Sequence, residues 1–221
     1  MMRMNQMMKN SKMKNNLTPA QYLASADPIL GAVIEKITLP KRAPAKNHFY
    51  ALVRAIMRQQ LSGRAADAIE RKFLALFSLR LPAPAQILAM PDMTIRSAGL
   101  SFAKISYIKN VARASVEGDI AFDHLRTLSD EEIIAKLTKI KGIGEWTAEM
   151  FLMFTLGRED LFSYGDLGLK NAMQRLYKMR RHPSKQRALQ IAKKWSPHRS
   201  LACRYLWASL ELNGYIQYTG G

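Results

Sequence analysis

A short glycine-containing break between two apolar segments constrains the fold of this chain more than any other feature. Residues 137–148 read LTKIKGIGEWTA, with Gly142 and Gly144 on either side of Ile143. A helix that ends at such a pair and then restarts leaves backbone N–H groups without partners at the new N-terminus. The helix dipole favours an anion there, and glycine lets a phosphate approach the backbone closely.

A bare G-x-G most often only joins two helices, but the surrounding residues favour a more specific interpretation. Apolar Leu137, Ile140 and Ile143 can pack two short helices together. The pair Thr147-Ala148 keeps the second helix slim where it crosses the first. The segment therefore predicts a phosphate-binding helix-hairpin-helix over residues 137–148. The residues expected to bind phosphate, through backbone N–H groups or lysine charge, are Lys139, Lys141, Gly142, Ile143, Gly144 and Thr147.

The charge of the chain indicates a polyanionic partner. Thirty-four Lys and Arg stand against 17 Asp and Glu, which gives a formal net charge of +17. Residues 170–204 hold eleven Lys and Arg and no acidic residue, so a phosphate-facing surface is favoured over an ordinary solvated face. No segment has the sharply divided basic and apolar faces of a membrane-surface helix, and the longest apolar run is too short for a membrane span. We expect a nucleic-acid partner and no membrane.

Composition limits the class of protein further. With 221 residues and 48% hydrophobic residues, the chain can bury the core of one domain or of two small lobes. A single cysteine, Cys203, excludes a disulfide framework and a thiolate metal cluster, and it fits a reducing compartment. The four histidines show no metal-ligand spacing, so we expect no metal site. Residues 1–16 carry four basic residues and no acid, and are expected to be a disordered tail.

The pattern of apolar residues predicts an all-α protein of about ten helices. Strand signals are almost absent, while apolar residues recur at spacings of three and four from Tyr22 onward. Helix-capping residues such as Ser129, with Glu132 three places later, stand at sensible intervals. The expected helices begin at Pro19 and span 28–37, 49–61, 63–77, 85–90, 101–117, 145–156, 167–177, 185–194 and 199–212, with one from Ser129 into the hairpin.

Three separated motifs in a fixed order resemble a known family. They are RQQLS at residues 58–62, IKGIGEWTA at 140–148 and GDLG at 165–168, and the order is similar to that of the helix-hairpin-helix (HhH-GPD) DNA glycosylase superfamily. The resemblance runs from about Leu17 to Gly214 and is greatest to the 3-methyladenine DNA glycosylase II branch, in a compact form without the leading β domain. It implies two helical lobes around a DNA-binding cleft: residues 17–47 with 165–221, and residues 48–164.

The resemblance implies base flipping followed by cleavage of an N-glycosidic bond. A base inside a duplex has to be extruded before it can be attacked, and cleavage develops positive charge on the sugar. A carboxylate meets that need, and Asp166 is the candidate, either stabilising the cation or orienting and deprotonating water. An Asp before a helix is also a common N-cap, and the two roles are compatible.

Trp146 stands where lyase-competent relatives carry a Schiff-base lysine, so the resemblance implies a monofunctional enzyme that leaves an abasic site. Its ring is expected to line the base pocket by stacking and cation–π attraction, the alternative being core packing. Trp207 matches a second pocket tryptophan, and Gln59 is expected to line the pocket. Met150 lies where some relatives present a tyrosine, which leaves the substrate range open.

Leu61 resembles the wedge that fills the gap left by a flipped nucleotide, although a leucine at a helix end is more often core. Gln60 is expected to contact the orphaned partner base. The iron–sulfur branch of the family needs four cysteines, so that cofactor is not expected. Relatives often hold a monovalent cation on hairpin carbonyls, and the sequence leaves open whether one binds here.

The leading hypothesis is a monofunctional glycosylase that removes alkylated purines of the 3-methyladenine type in base excision repair, with 7-methylguanine, hypoxanthine and ethenoadenine as further substrates. It would act as a monomer on damaged double-stranded DNA, in the bacterial cytoplasm at the nucleoid or in a nucleus. The alternatives are a glycosylase of other lesion scope with lyase activity, and a non-catalytic DNA-binding module.

Overall fold

The structure, a computed structural model, describes residues 17–41, 43–61 and 63–212. Every regular element in these ranges is helical, which confirms the all-α prediction. The predicted tail at residues 1–16, Ser62 of the RQQLS motif and the chain beyond Leu212 lie outside the described residues. Among the described helices, none is long and apolar enough to cross a membrane.

Twelve α-helices cover most of the described residues. In chain order they are α1 (Pro19–Ala26), α2 (Pro28–Ile34), α3 (His48–Arg58), α4 (Gly63–Ala75), α5 (Pro84–Ala89), α6 (Asp92–Ser97), α7 (Phe102–Val116), α8 (Asp130–Leu137), α9 (Glu145–Phe151), α10 (Leu167–Leu176), α11 (Lys185–Ala192) and α12 (Arg199–Glu211). Two 3-10 segments, Phe122–Thr127 and Lys193–Trp195, and a π-helical segment, Leu152–Leu156, complete the set.

The described residues form two compact units. The first unit contains residues 17–41 and 159–212, and in it α12 packs against α2 and α10. Buried Asp27 is the N-cap of α2, and its Oδ2 accepts hydrogen bonds from the Tyr177 hydroxyl at 2.5 Å and from Trp195 Nε1 at 3.1 Å. Burial and the bond to Asp27 raise the pKa of Tyr177, so the hydroxyl remains a donor. These bonds join the two separate stretches of chain that make up this unit.

The second unit contains residues 43–61 and 63–158, with α7 packed against α3 and α5. One side of α7 is fully buried, and Ser101 caps its N-terminus by accepting from the Lys104 N–H, as predicted. Helix α9 continues directly into the π-helical segment, and Gly157 ends it with a left-handed φ of 75°. The two short helices α8 and α9 pack together on either side of the glycine-containing break.

Several predicted helix boundaries are wrong. The helix expected over 49–61 ends at Arg58, because the next residues form a turn with a positive φ at Gln60. Helix α6 was not predicted, since its N-cap is Pro91, which offers no side-chain acceptor. The helix expected over 145–156 changes from α to π after Phe151. The described residues hold twelve α-helices where about ten were expected.

Candidate catalytic and phosphate-binding residues

Asp166 lies in the first unit and is the N-cap of α10, as predicted. Its Oδ1 accepts the backbone N–H of Leu169 at 2.7 Å, and the residue is 3% exposed. Its own N–H donates to the carbonyl of Ser163 at 3.2 Å, which closes the turn that leads into the helix. The carboxylate is therefore held in a fixed place at the beginning of α10.

Trp207 of α12 provides a second donor to the same oxygen. Its Nε1 donates to Asp166 Oδ1 at 2.9 Å, and the side chain is 8% exposed. One backbone donor and one indole donor therefore orient a single carboxylate oxygen. The sequence motifs linked Trp207 only to the base pocket, because nothing local connects two residues that are 41 positions apart.

Gly168 allows this arrangement, and its role was missed from the sequence. A Cβ atom there would lie 3.0 Å from Asp166 Oδ1 and 3.1 Å from Cδ1 of Trp207, which is tighter than ordinary packing. The sequence offered one signal for this role, because Gly168 stands in the first turn of a helix, where the helical backbone does not require glycine. We infer that Gly168 is needed so that the indole can reach the carboxylate.

The hairpin lies in the second unit, between the end of α8 and the start of α9. Gly144 is the N-cap of α9, so the N-terminal end of that helix, where the dipole favours an anion, lies at the hairpin. Ile140 and Ile143 are buried, and the N–H of Ile143 donates to the carbonyl of Ile140 at 3.0 Å. The Ile143 amide is bonded inside the hairpin, so this residue contributes a buried side chain and not a phosphate-binding N–H. The side chains of Lys139 and Lys141 are exposed.

The two hairpin glycines have different surroundings. Gly142 has a φ of 107°, and a Cβ atom added there would overlap the ring of Tyr107. Gly144 has an ordinary φ of −91°, and a Cβ atom there would meet nothing within 4 Å. Gly142 is therefore required by the fold, whereas the space beside Gly144 is open for a ligand.

Residues 58–61 form a tight turn that we name the wedge turn. The N–H of Leu61 donates to the carbonyl of Arg58 at 3.2 Å, and Gln59 has φ −51° and ψ 130°. Gln60 follows with φ 57°, which makes this a type II turn with glutamine at the position that favours glycine. Such a conformation costs on the order of 1–3 kcal/mol for a residue other than glycine. Leu61 is 37% exposed, so its side chain is not part of the core.

The wedge turn and the hairpin helix are joined by a side-chain hydrogen bond. Gln59 Nε2 donates to Oγ1 of buried Thr147 at 3.3 Å. Trp146, beside Thr147 on α9, is 42% exposed, which argues against the core-packing alternative for this side chain. Met150, one turn further along, is half-buried.

The basic segment of the first unit is mostly exposed. Lys170 lies over the ring of Tyr164 at 4.5 Å, and Arg199 forms an ion pair with Asp160 at 2.7 Å. Eight of the eleven basic residues in this segment are exposed, as both a phosphate-facing surface and an ordinary solvated face require. They are Arg175, Lys178, Arg180, Arg181, Lys185, Arg187, Lys193 and Lys194.

An all-helical chain with a helix-hairpin-helix and a capped aspartate beyond it defines a class of DNA-binding repair proteins, and comparisons with known proteins agree. The model of the HhH-GPD superfamily of base excision DNA repair proteins matches residues 53–198. The chain belongs to this superfamily.

Individual relatives are similar over most of the chain. DNA-3-methyladenine glycosylase 1 of Schizosaccharomyces pombe is 36% identical over 80% of this chain and 79% of its own length. The crystal structure of a DNA-3-methyladenine glycosidase from Bacillus halodurans has a TM-score of 0.79 and 36% identity, covering 90% of this chain and 93% of that one. The Schizosaccharomyces pombe 3-methyladenine DNA glycosylase in complex with abasic DNA has a TM-score of 0.80 and 32% identity, with coverage of 90% and 99%.

Proposed function

We propose that this protein is a monofunctional DNA glycosylase that removes alkylated purines from double-stranded DNA. It is a base excision repair glycosylase of alkylated bases, which binds DNA and hydrolyses N-glycosyl bonds. The named relatives support this function, and one of them was solved with abasic DNA, the product of such a reaction. The single observation that carries the proposal is the buried Asp166 carboxylate, with Oδ1 held by Leu169 and Trp207.

Asp166 supplies the charge that the reaction needs. As the bond between the base and the sugar breaks, positive charge develops on the sugar, and a fixed carboxylate stabilises it. The same carboxylate can orient the attacking water and take its proton. An alkylated purine that already carries positive charge leaves as a neutral base, so that substrate class needs little help from an acid.

The residue at the lyase position supports a monofunctional enzyme. Trp146 has an indole where lyase-competent members of the superfamily carry a Schiff-base lysine, and an indole offers no nucleophilic amine. Water is then the nucleophile, and the product is an abasic site in an uncut strand. The exposed ring of Trp146 is suited to stack on an extruded base.

The hairpin and the wedge turn are assigned to DNA binding. The first-turn N–H groups of α9, with Lys139 and Lys141, would bind a backbone phosphate, and Leu61 would fill the gap left by the flipped nucleotide. Gln60 would contact the orphaned base. We propose that the protein works as a monomer wherever its substrate DNA is held, at a nucleoid or in a nucleus.

The test is base release from duplexes that carry 3-methyladenine, hypoxanthine or ethenoadenine, read as strand breaks after hot alkali. Asp166→Asn keeps the cap but loses the charge, and we expect base release to slow on the order of a hundredfold or more. Asp27→Asn is the matched control, because Asp27 is also a buried N-cap that accepts an indole N–H. The control should lose stability and keep its rate. Full activity in Asp166→Asn would contradict the assigned mechanism.

Two further results separate the alternatives. A covalent protein–DNA adduct trapped with borohydride would indicate the lyase-competent glycosylase. Tight binding of damaged DNA without any base release would indicate the non-catalytic module.

A further inference from the structure

We propose that helix α7 supports the wedge turn from behind, and that Lys104 is a positioning residue for the Leu61 side chain. The inference rests on the proposed function, because it concerns the residue assigned to fill the gap in DNA. All residues involved lie in the second unit.

Lys104 bonds directly to the chain at the wedge turn. Its Nζ donates to the carbonyl of Met57 at 2.8 Å and to the carbonyl of Gln59 at 2.6 Å. These carbonyls lie at the C-terminal end of α3, where a helix lacks internal donors and its dipole favours a cation. Burial lowers the pKa of Lys104, which marks the ammonium as partly withdrawn from water. The side chain thus fixes the residue immediately before Gln60.

The wedge turn needs such a support. Gln60 has a φ of 57°, a conformation that a glutamine keeps only where the surroundings hold it. No glycine is present in the turn to relax it, and the side chain of Leu61 remains exposed directly after the strained residue. Lys104 bonds to the carbonyls of Met57 and Gln59, which precede the strained Gln60 in the chain. We conclude that Lys104 sets the direction in which Leu61 leaves the turn.

The same helix also supports the hairpin. Tyr107 and Asn110 follow Lys104 at intervals of three residues, so the three side chains lie along one side of α7. The Tyr107 ring occupies the space beside Gly142, and Asn110 Nδ2 donates to the carbonyl of Lys141 at 3.1 Å. One rigid helix therefore holds both the wedge turn and the phosphate-binding hairpin, which fixes their separation.

Helix α7 also provides a matched control. Lys109 Nζ donates to the carbonyl of Met90 at 2.8 Å and pairs with Asp92, away from the wedge turn. Both lysines lie on α7 and both donate to backbone carbonyls. Of the two, Lys104 bonds to the wedge turn and Lys109 does not. A merely structural role would make Lys104→Met and Lys109→Met alike in their effect on DNA.

The experiment measures binding to two duplexes by fluorescence anisotropy, one with a stable abasic-site analogue and one unmodified. The quantity compared is the ratio of the two dissociation constants, taken at a temperature where circular dichroism shows each variant folded. The parent chain should prefer the abasic duplex. Lys104→Met should lose about tenfold of that preference, since a hydrogen bond to a charged group is removed, and Leu61→Ala should do the same. Lys109→Met should keep the parent preference.

The double variant Lys104→Met/Leu61→Ala should lose no more than either single variant, because both changes remove the same function. Unchanged preference in Lys104→Met, or an equal loss in Lys109→Met, would overturn the inference, as would a parent chain that shows no preference at all. If Lys104→Met fails to fold, Lys104→Gln replaces it and should lose part of the preference, and no loss there would also overturn the inference. Failure of the proposed function would give a different result. The parent chain would then prefer the abasic duplex but would release no base from damaged DNA.

Discussion

The surroundings of Asp166 and those of the wedge turn and hairpin differ in how completely they are enclosed. Asp166 is buried and bonded to donors from α10 and α12. Leu61 and Trp146 are exposed, and the wedge turn and hairpin are held from one side by α7. This difference fits the proposed roles. A carboxylate that acts on one atom needs a fixed position, whereas residues that contact a duplex have to be accessible to it and supported by the fold on their other side.

Gly142 gives the largest expected effect, because the Tyr107 ring of α7 fills the space beside it. Gly142→Ala should lower the free energy of unfolding by about 2–4 kcal/mol, since it combines a positive φ with overlap of the Tyr107 ring. Urea denaturation measures this. Gly118→Ala is the control, because Gly118 has a φ of 82° but open space around it, and it should cost about 1 kcal/mol. Equal losses in both variants would show that Tyr107 is not a support.

Trp207→Phe tests the enclosure of Asp166. Removing the indole donor should slow single-turnover base release about tenfold, because a hydrogen bond to a carboxylate of about 1.5 kcal/mol is lost. Trp195→Phe removes a similar indole bond, to Asp27, and should reduce stability without changing the rate. An unchanged rate in Trp207→Phe would mean that the indole does not orient the carboxylate.

Gly144→Ala tests the open side of the hairpin. The backbone there accepts alanine without strain, so the free energy of unfolding should fall by no more than about 1 kcal/mol, the cost of alanine at an N-cap, but the new methyl group would occupy the space beside the N-terminus of α9. We expect affinity to fall about fivefold for damaged and undamaged duplexes alike, because phosphate contacts carry no sequence information. Affinity that stays at the parent value on both duplexes would place the phosphate elsewhere.

Gln60→Gly gives the smallest expected effect and concerns the strain in the wedge turn. Glycine suits the third position of a type II turn, so the free energy of unfolding should rise by about 0.5–1 kcal/mol. The measurement is again urea denaturation. A loss of stability would mean that the Gln60 side chain makes a stabilising contact that outweighs the strain of its backbone.

The sequence predicted the local features of the fold well. Ser101, Ser129 and Asp166 each accept the backbone N–H expected of a helix cap, because a cap depends on residues only three positions apart. The end of α3 was placed three residues too late, since nothing in Gln59 and Gln60 signals a turn that glycine would normally occupy. A local pattern cannot show strain that distant residues hold in place.

The contacts that orient the site residues were beyond the reach of sequence motifs. Trp207 and Asp166 are 41 positions apart, and Lys104 and Gln59 are 45 apart. The resemblance identified Asp166, Trp207 and Leu61 as candidates, but no motif shows that Trp207 bonds to Asp166 or that Lys104 bonds to Gln59. The roles of the site residues in catalysis and DNA binding stay predictions.

Among the described residues, the second unit is a single run of sequence between residues 43 and 158, whereas the first comes from two stretches that precede and follow it in the sequence. A ribosome therefore completes the hairpin and the wedge turn before it makes Asp166, and compact units tend to fold as they are finished. On the roles proposed above, the residues assigned to DNA binding are therefore synthesised before the residue assigned to bond cleavage. The hydrogen bonds that hold Asp166 form only when α10 and α12 have been added.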